Sequence, residues 1–278
     1  MVESVLKDAK LRDIAIRVNH RDEQIDFYQN VLKFRLLNEE NALAIFGTQD
    51  SKRERFVIEE SPAHRTHAVD DGVKKLHSFS ILLPSKEELI ATLAGILEQG
   101  YPILSAWIAP NGLGFSLLDT EENLVELYYS DAPIGELEKQ LVDPPLLLQE
   151  KACSVQEYFS KDARIETVHL NVLDTDISEA FYEKVFGLKF NNFHEAVVLD
   201  GEETFCIVLH EAKGKWLVGN TDKLWDIEYF EFEVTSKEKI QAFAKRLDDL
   251  EVNYYLDKNN TILTVSDVSG LEWWFTIS

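Results

Sequence analysis

TVHLNVLDTDISEAFYEKVFGL, residues Thr167 to Leu188, is the stretch on which the reading of the chain turns. The alternation leading to Val172 predicts a half-buried strand, and Asp176 to Phe186 predicts a helix. Gly187 follows, the residue type that most easily takes the left-handed conformation at a helix end. An earlier stretch, IAIRVNHRDEQIDFYQNVLKF (Ile14 to Phe34), has the same plan. The two share Phe-Tyr-x-x-Val-x-x-(Leu/Phe), at Phe27, Tyr28, Val31 and Phe34 and again at Phe181, Tyr182, Val185 and Leu188.

Working outward, Leu11 to Val18 predicts a strand with Ile14, Ile16 and Val18 on one face and Asp13, Ala15 and Arg17 on the other. A helix follows to Leu32, then short strands at Phe34–Leu37, Ala42–Phe46 and Arg55–Glu59, making one βαβββ unit. After a polar connection (Ser61 to Gly72) the order repeats. A strand at Leu76–Leu83 leads to a helix opened by Ser85 and Glu88 at capping-box spacing. That helix stops at Gly100, and strands at Pro102–Ile108, Gly114–Leu118 and Leu124–Tyr129 complete the unit. In the second half, strand Ile165–Val172 and its helix precede strands near Lys189–Phe193, Ala196–Leu199 and Thr204–Leu209. Strand Glu228–Val234, helix Ser236–Leu247 and strands Asn253–Leu256, Thr261–Val265 and Leu271–Ile277 end the chain. Four βαβββ units result, with one matching three and two matching four at a period of about 150 residues. The expected fold is α+β, with one domain over 1–130, a linker over 131–163 that carries some helix, and a second domain over 164–278.

With 278 residues and 45% of them hydrophobic, each half can bury a core. The formal net charge of −22 argues against nucleic acid and anionic membranes as partners. Cys153 and Cys206 make no Cys-x-x-Cys zinc pattern. The N-terminus lacks a signal peptide's apolar core, and no apolar run approaches the roughly 20 residues of a membrane span. The expected location is the cytoplasm, with an unidentified small molecule or protein as partner.

The paired βαβββ units and the Phe-Tyr motif resemble the vicinal oxygen chelate superfamily of glyoxalases, bleomycin-resistance proteins and extradiol dioxygenases. FVIEESPAHRTHAVDDGVKKL (Phe56 to Leu76) is similar to the connection in the narrower CppA family, whose members are described as complement C3-degrading proteinases. Glu59, Glu60, Ser61, Pro62, Arg65, Thr66, Lys74, Lys75 and Leu76 carry the match. Leu271-Glu272-Trp273-Trp274-Phe275 resembles that family's ending.

The superfamily resemblance implies a cup with a divalent metal (Fe, Mn or Zn) held by histidines and glutamate, open to a bidentate oxygen substrate. Its register puts the first-strand ligands at Asp13, Ser78, Thr167 and Tyr229, and the last-strand ligands at Glu126 and Trp274. Grouped by halves, one cup would hold Asp13, Ser78 and Glu126, the other Thr167, Tyr229 and Trp274. Neither has a histidine pair, so no cofactor is expected and the metal sites read as largely degenerate. The competing expectation is a metal-dependent lyase or dioxygenase on Asp13, Glu126 and a histidine. His77 lies one residue from Ser78 and would need a bulge to face in. His169 lies two residues past Thr167, on the same face. Either histidine could instead be a hydrogen-bonded wall residue. Glu126 could serve as a general base or be an ordinary strand glutamate. Arg65 could clamp a carboxylate or pair with Glu59, Glu60 or Asp70. Trp274 is expected to fill space. A further alternative, a C3-degrading proteinase, is implied by the CppA resemblance alone: there is no Gly-x-Ser-x-Gly, the nearest approach being Gly114-Phe115-Ser116, and no His-Glu-x-x-His.

Overall fold

The computed structural model describes residues 4–49, 56–61, 73–131, 138–149, 157–199, 204–214, 217 and 226–277. The first module comprises β1 (Lys10–Val18), α1 (Arg21–Asp26, continued by a π-helical turn over Phe27–Val31), β2 (Arg35–Glu40), β3 (Leu43–Gly47) and β4 (Phe56–Glu60). The second comprises β5 (Leu76–Leu82), α2 (Lys86–Glu98), β6 (Ser105–Ala109), β7 (Gly112–Leu118) and β8 (Leu124–Ser130). Between the halves lie β9 (Gln140–Val142) and a 3-10 turn over Pro144–Gln149. The third module has β10 (Arg164–Val172), α3 (Thr175–Phe186), β11 (Glu195–Leu199) and β12 (Phe205–Glu211). The fourth has β13 (Ile227–Glu233), α4 (Lys237–Asp249), β14 (Tyr254–Leu256), β15 (Ile262–Ser266) and β16 (Glu272–Thr276). Among the described residues the strands form two eight-stranded mixed sheets, and the α+β class follows. No helix among the described residues is long and apolar enough to cross a membrane.

Three helices start on the expected kind of cap. Ser85 accepts the Glu88 N–H at 3.1 Å, Asp174 the Ile177 N–H at 2.9 Å, and Ser236 the Lys239 N–H at 3.4 Å. Gly187 ends α3 at φ +77°, as its sequence position predicts. The strand expected near Lys189–Phe193 does not form. The Asn191 side-chain oxygen accepts the N–H groups of Phe193 (2.8 Å) and Glu195 (3.2 Å), folding the segment into a turn ahead of β11.

The chain packs as two compact units interleaved in sequence. The first takes Met1–Asn19, Phe56–His77 and Thr167–Ser278; the second takes His20–Arg55 and Ser78–Glu166. Within the first, β1 runs antiparallel to β13 and parallel to β4, β13 runs parallel to β16, and β15 and β14 follow antiparallel. Also in it, β12 lies parallel to β10 and antiparallel to β11. Within the second, β5 is parallel to β8, and β7, β6 and β9 follow antiparallel. Strand alternation divides the two faces of each run. On β1, β13 and β16 the buried face is Ile14, Ile16, Val18, Phe230, Phe232, Trp273 and Phe275. Trp273 is wholly buried and stacks on Phe186 at 4.5 Å and on Phe232 at 5.6 Å.

The repeated tyrosine has a structural task. A buried phenol needs a partner for its hydroxyl. Tyr28 donates to Asp119 Oδ2 at 2.9 Å, and Tyr182 donates to Asp267 Oδ2 at 2.6 Å. Each aspartate organises the turn before its module's last strand. Asp119 accepts the N–H groups of Glu121 and Asn123 at 2.9 and 2.8 Å. Asp267 accepts those of Ser269 and Leu271 at 2.8 and 3.0 Å. Burial, then the neighbouring carboxylate, pushes both phenols well above their ordinary range, so both stay neutral. The motif therefore ties the helix of module one to the turn of module two, and the helix of module three to the turn of module four.

Candidate functional site

The polar face of β1, β4, β13 and β16 is built by register. Asp13 lies opposite Glu231, Ala15 opposite Tyr229, and Arg17 beside Glu59. On the far side of β13, Tyr229 is level with Glu272 and Glu231 with Trp274. The β1–β13 ladder slips between Ala15 and Ile16, leaving Glu228 as an extra residue. This bulge turns Glu228 onto the polar face, where its carboxylate meets Arg17 Nη2. The same nitrogen reaches Glu59 Oε2 at 3.5 Å. Two carboxyl groups thus share one guanidinium nitrogen. Burial, reinforced by Glu59 and Glu272 and opposed by Arg17, pushes the Glu228 carboxyl up to about 8.

Beside this cluster the Tyr229 and Trp274 rings stack at 5.0 Å with a 28° interplanar angle. Trp274 donates its indole N–H to Glu272 Oε2 at 2.7 Å. Glu231 accepts from Arg12 Nη1 at 2.9 Å and from Thr276 Oγ1 at 2.7 Å. Asp13 is 1% exposed. Tyr229 is raised above its ordinary range by burial, then by Asp13 and Glu231. Trp274, expected as a space-filler, is half-buried and forms an aromatic wall; its neighbour Trp273 fills the core.

A second cluster lies on β10, β12 and the start of β5. Thr167, His169 and Asn171 alternate along β10, level with Cys206, Val208 and His210 on β12. His169 Nδ1 and His210 Nε2 are 2.9 Å apart. The His77 ring lies over His210, with centroids 4.5 Å apart, and 6.3 Å from His169. Alternation alone would turn His77 the other way, yet its ring joins these two. Burial, then His77 and His194, lowers His210 below its ordinary value. Thr167 is 3% exposed, and its hydroxyl has no hydrogen-bond partner among the described residues.

Glu126 lies on β8. Ser80 donates to its Oε2 at 3.2 Å, while Trp107 Nε1 (2.8 Å) and Lys139 Nζ (2.7 Å) reach Oε1. Lys139 also covers the Trp107 ring at 4.4 Å. Three donors hold the carboxylate, two on Oε1 and one on Oε2, and fix its orientation. Ser78 is buried on β5, level with Leu124. Ser116, the serine nearest to a nucleophile motif, pairs its hydroxyl with Ser105 at 2.7 Å. Glu60 is exposed at the end of β4, and Pro62 and Arg65, with His64 and His67, lie outside the described residues.

The grouping of expected ligand positions therefore changes. Asp13 shares its sheet face with Tyr229 and Trp274, because β1 pairs with β13. The repeat defines modules but carries no signal for which two share strands. Arg17 and Glu228 were not singled out from sequence; Arg17 was nonetheless legible as the next residue but one on the Asp13 face.

As metal ligands Asp13, Tyr229 and Trp274 do not fit. Indole is a donor only, and a neutral phenol is a weak ligand, which leaves one carboxylate. Among the described residues no three His, Cys, Asp or Glu side chains are set, as they stand, to hold a metal ion.

The family model described as CppA N-terminal matches residues 12–139, and that described as CppA C-terminal matches residues 160–275. The chain is 25% identical over 289 residues to a catechol-2,3-dioxygenase of Bacillus subtilis (strain 168), covering 99% of both proteins. The cppA protein of Streptococcus pneumoniae TIGR4 superposes with a TM-score of 0.71 at 20% identity, covering 98% of this chain and 100% of that one. Glyoxalase I of Zea mays superposes with a TM-score of 0.59 at 16% identity, covering 97% of this chain and 92% of that one.

Proposed function

Because the chain belongs to the CppA family, within the vicinal oxygen chelate fold, we propose that it binds a small organic molecule on the polar face of β1, β4, β13 and β16. In this reading no metal is held at the family's ligand positions. The observation that carries it is the donor set: where a metal-dependent relative needs imidazoles and carboxylates, this face offers Asp13 beside a stacked Tyr229 and Trp274. An aromatic wall next to a carboxyl pair on Arg17 suits a planar molecule that stacks and hydrogen-bonds. Glu228, whose carboxyl is pushed up to about 8 and so keeps its proton at pH 7, can donate to such a ligand.

A thermal-shift screen of planar polar compounds tests this. A ligand at 100 times its Kd adds about 2.7 kcal/mol, and Trp274→Ala should remove the shift. A flat screen, or a shift untouched by Trp274→Ala, overturns the reading. So does stoichiometric iron, manganese or zinc that is lost in Asp13→Ala or Glu126→Ala.

A second reading, a ring-cleaving dioxygenase, draws on the 25% identity to the Bacillus subtilis protein across nearly both whole chains. Catechol incubated with the iron-reconstituted protein distinguishes the two: yellow ring-cleavage product supports the dioxygenase, and none is expected here.

A further inference from the structure

Module two carries a site that the chain itself fills. We propose that Trp107 and Glu126, within the second compact unit, recognise a small molecule bearing a primary alkylammonium group, and that the Lys139 side chain occupies this site as that group's stand-in. None of these residues belongs to the binding face proposed above, so the two readings stand or fall separately.

Strand register builds the site. Ser80 on β5, Glu126 on β8, Ser116 on β7 and Ser105 on β6 lie level across the sheet. The next row on the same face is Tyr128, Gly114, Trp107 and Leu141. Gly114 lets the Trp107 indole pack against β7, since a Cβ there would meet the ring at 2.7 Å. So placed, Trp107 donates its Nε1–H to Glu126 Oε1 at 2.8 Å, while Ser80 donates to Oε2 at 3.2 Å. Strand residues therefore fix the carboxylate beside an indole ring whatever Lys139 does. Neither of these donors is charged, so a cation is needed to balance Glu126. A carboxylate next to an electron-rich ring attracts a cation twice over and repels an anion.

Lys139 supplies that cation from a weakly held position. Its Nζ lies 2.7 Å from Glu126 Oε1 and 4.4 Å from the centre of the Trp107 ring, yet the side chain is 42% exposed. It stands just ahead of β9, a three-residue strand at the sheet edge beyond β6. Gln140 and Leu141 of that strand are exposed, Leu141 by 74%. A short edge strand with so little buried surface opens at small cost. Opening carries the ammonium away and uncovers Trp107, which is 2% exposed with Lys139 in place. An alkylammonium then meets the same carboxylate and the same ring. A primary amine is favoured over a quaternary one, because Glu126 accepts N–H donation. The net charge of −22 concentrates cations around the chain.

The test uses n-butylammonium, which reproduces the four-carbon end of a lysine side chain. The full chain and its Lys139→Ala variant are titrated while the Trp107 indole N–H resonance is followed, assigned as the signal missing from Trp107→Phe. A saturable shift is expected in Lys139→Ala. Wild type should show an apparent affinity about ten-fold weaker, as for a site held closed about nine-tenths of the time. The neutral isostere 1-butanol should leave the resonance in place. Glu126→Gln combined with Lys139→Ala should abolish the response, with circular dichroism checking that this variant folds. Absence of a saturable shift in Lys139→Ala overturns the proposal, as does equal binding of 1-butanol or binding undiminished by Glu126→Gln. Equal affinity in wild type and Lys139→Ala overturns the stand-in role of Lys139.

Discussion

Replacing Tyr182 by phenylalanine isolates one hydrogen bond in the fold's repeated motif. The ring stays in place, because Phe can keep the contacts that Tyr182 makes with Trp273 at 5.4 Å and Phe190 at 6.0 Å. Only the donor to Asp267 is lost, while Ser269 and Leu271 still hold that carboxylate. A hydrogen bond to a charged acceptor contributes about 1.5–3 kcal/mol. At about 2–4 °C per kcal/mol, the melting temperature at pH 7 should fall by about 3–12 °C. The pH dependence adds a second signature. The folded protein keeps the Tyr182 proton that the unfolded chain releases above about pH 10, so this contribution is intact below that pH and lost above it. The loss runs at about 1.4 kcal/mol per pH unit, and phenylalanine has no such proton. The gap between wild type and Tyr182→Phe should therefore narrow by about 1 kcal/mol between pH 10 and pH 11, where the unfolded phenol goes from half to almost fully ionised. Urea unfolding followed by tryptophan fluorescence measures it, with Trp273 against the mutated ring. A gap that stays constant from pH 8 to pH 11 would refute the reasoning, since the phenol would then ionise in the folded state.

Three further outcomes are expected. Glu228→Gln should flatten the fall in stability between about pH 4.5 and pH 8: the folded wild type holds a proton that its unfolded chain has released, and the variant, always neutral, should be the more stable at pH 8. Melting curves across pH 5–9 check the sign. Gly114→Ala should destabilise by about 1–3 kcal/mol, because its Cβ would meet the Trp107 ring at 2.7 Å and the Leu127 carbonyl at 2.8 Å, whereas Gly95→Ala, with nothing within 4 Å, should stabilise α2 by about 0.5–1 kcal/mol. Parallel denaturation curves compare the two. Ser236→Ala removes the cap of α4 and should cost about 1 kcal/mol, whereas Ser236→Asp should restore most of it.

The helices, their caps and nearly every strand could be read in the sequence because each is a local decision. Alternation, capping residues and Gly187 act within a few residues of where they stand. The expected strand near Lys189–Phe193 failed for an equally local reason, the competing Asn191 turn. Strand partnership is different. Nothing in Asp13 or its neighbours says that β13 will lie beside β1, and the composition of the polar face follows from that choice. Likewise Glu228 and His77 gain their positions where strict alternation lapses, through the register slip beside Glu228 and the departure from alternation at His77. His169 was visible through its parity with Thr167, but His210 joins it only once the parallel register of β10 and β12 is known.

The partnership of β1 with β13 also sets a schedule for synthesis. Roughly 200 residues separate the two, which at 5–20 residues per second is about 10–40 seconds of translation. Through that interval the nascent chain carries β1 without its antiparallel partner, its apolar Ile14, Ile16 and Val18 side chains without the Phe230 and Phe232 that later share their buried face. Trigger-factor-like holding of the emerging N-terminus, or a pause before its release, would therefore govern the yield of folded protein, and codon changes that speed translation of the second half should raise it.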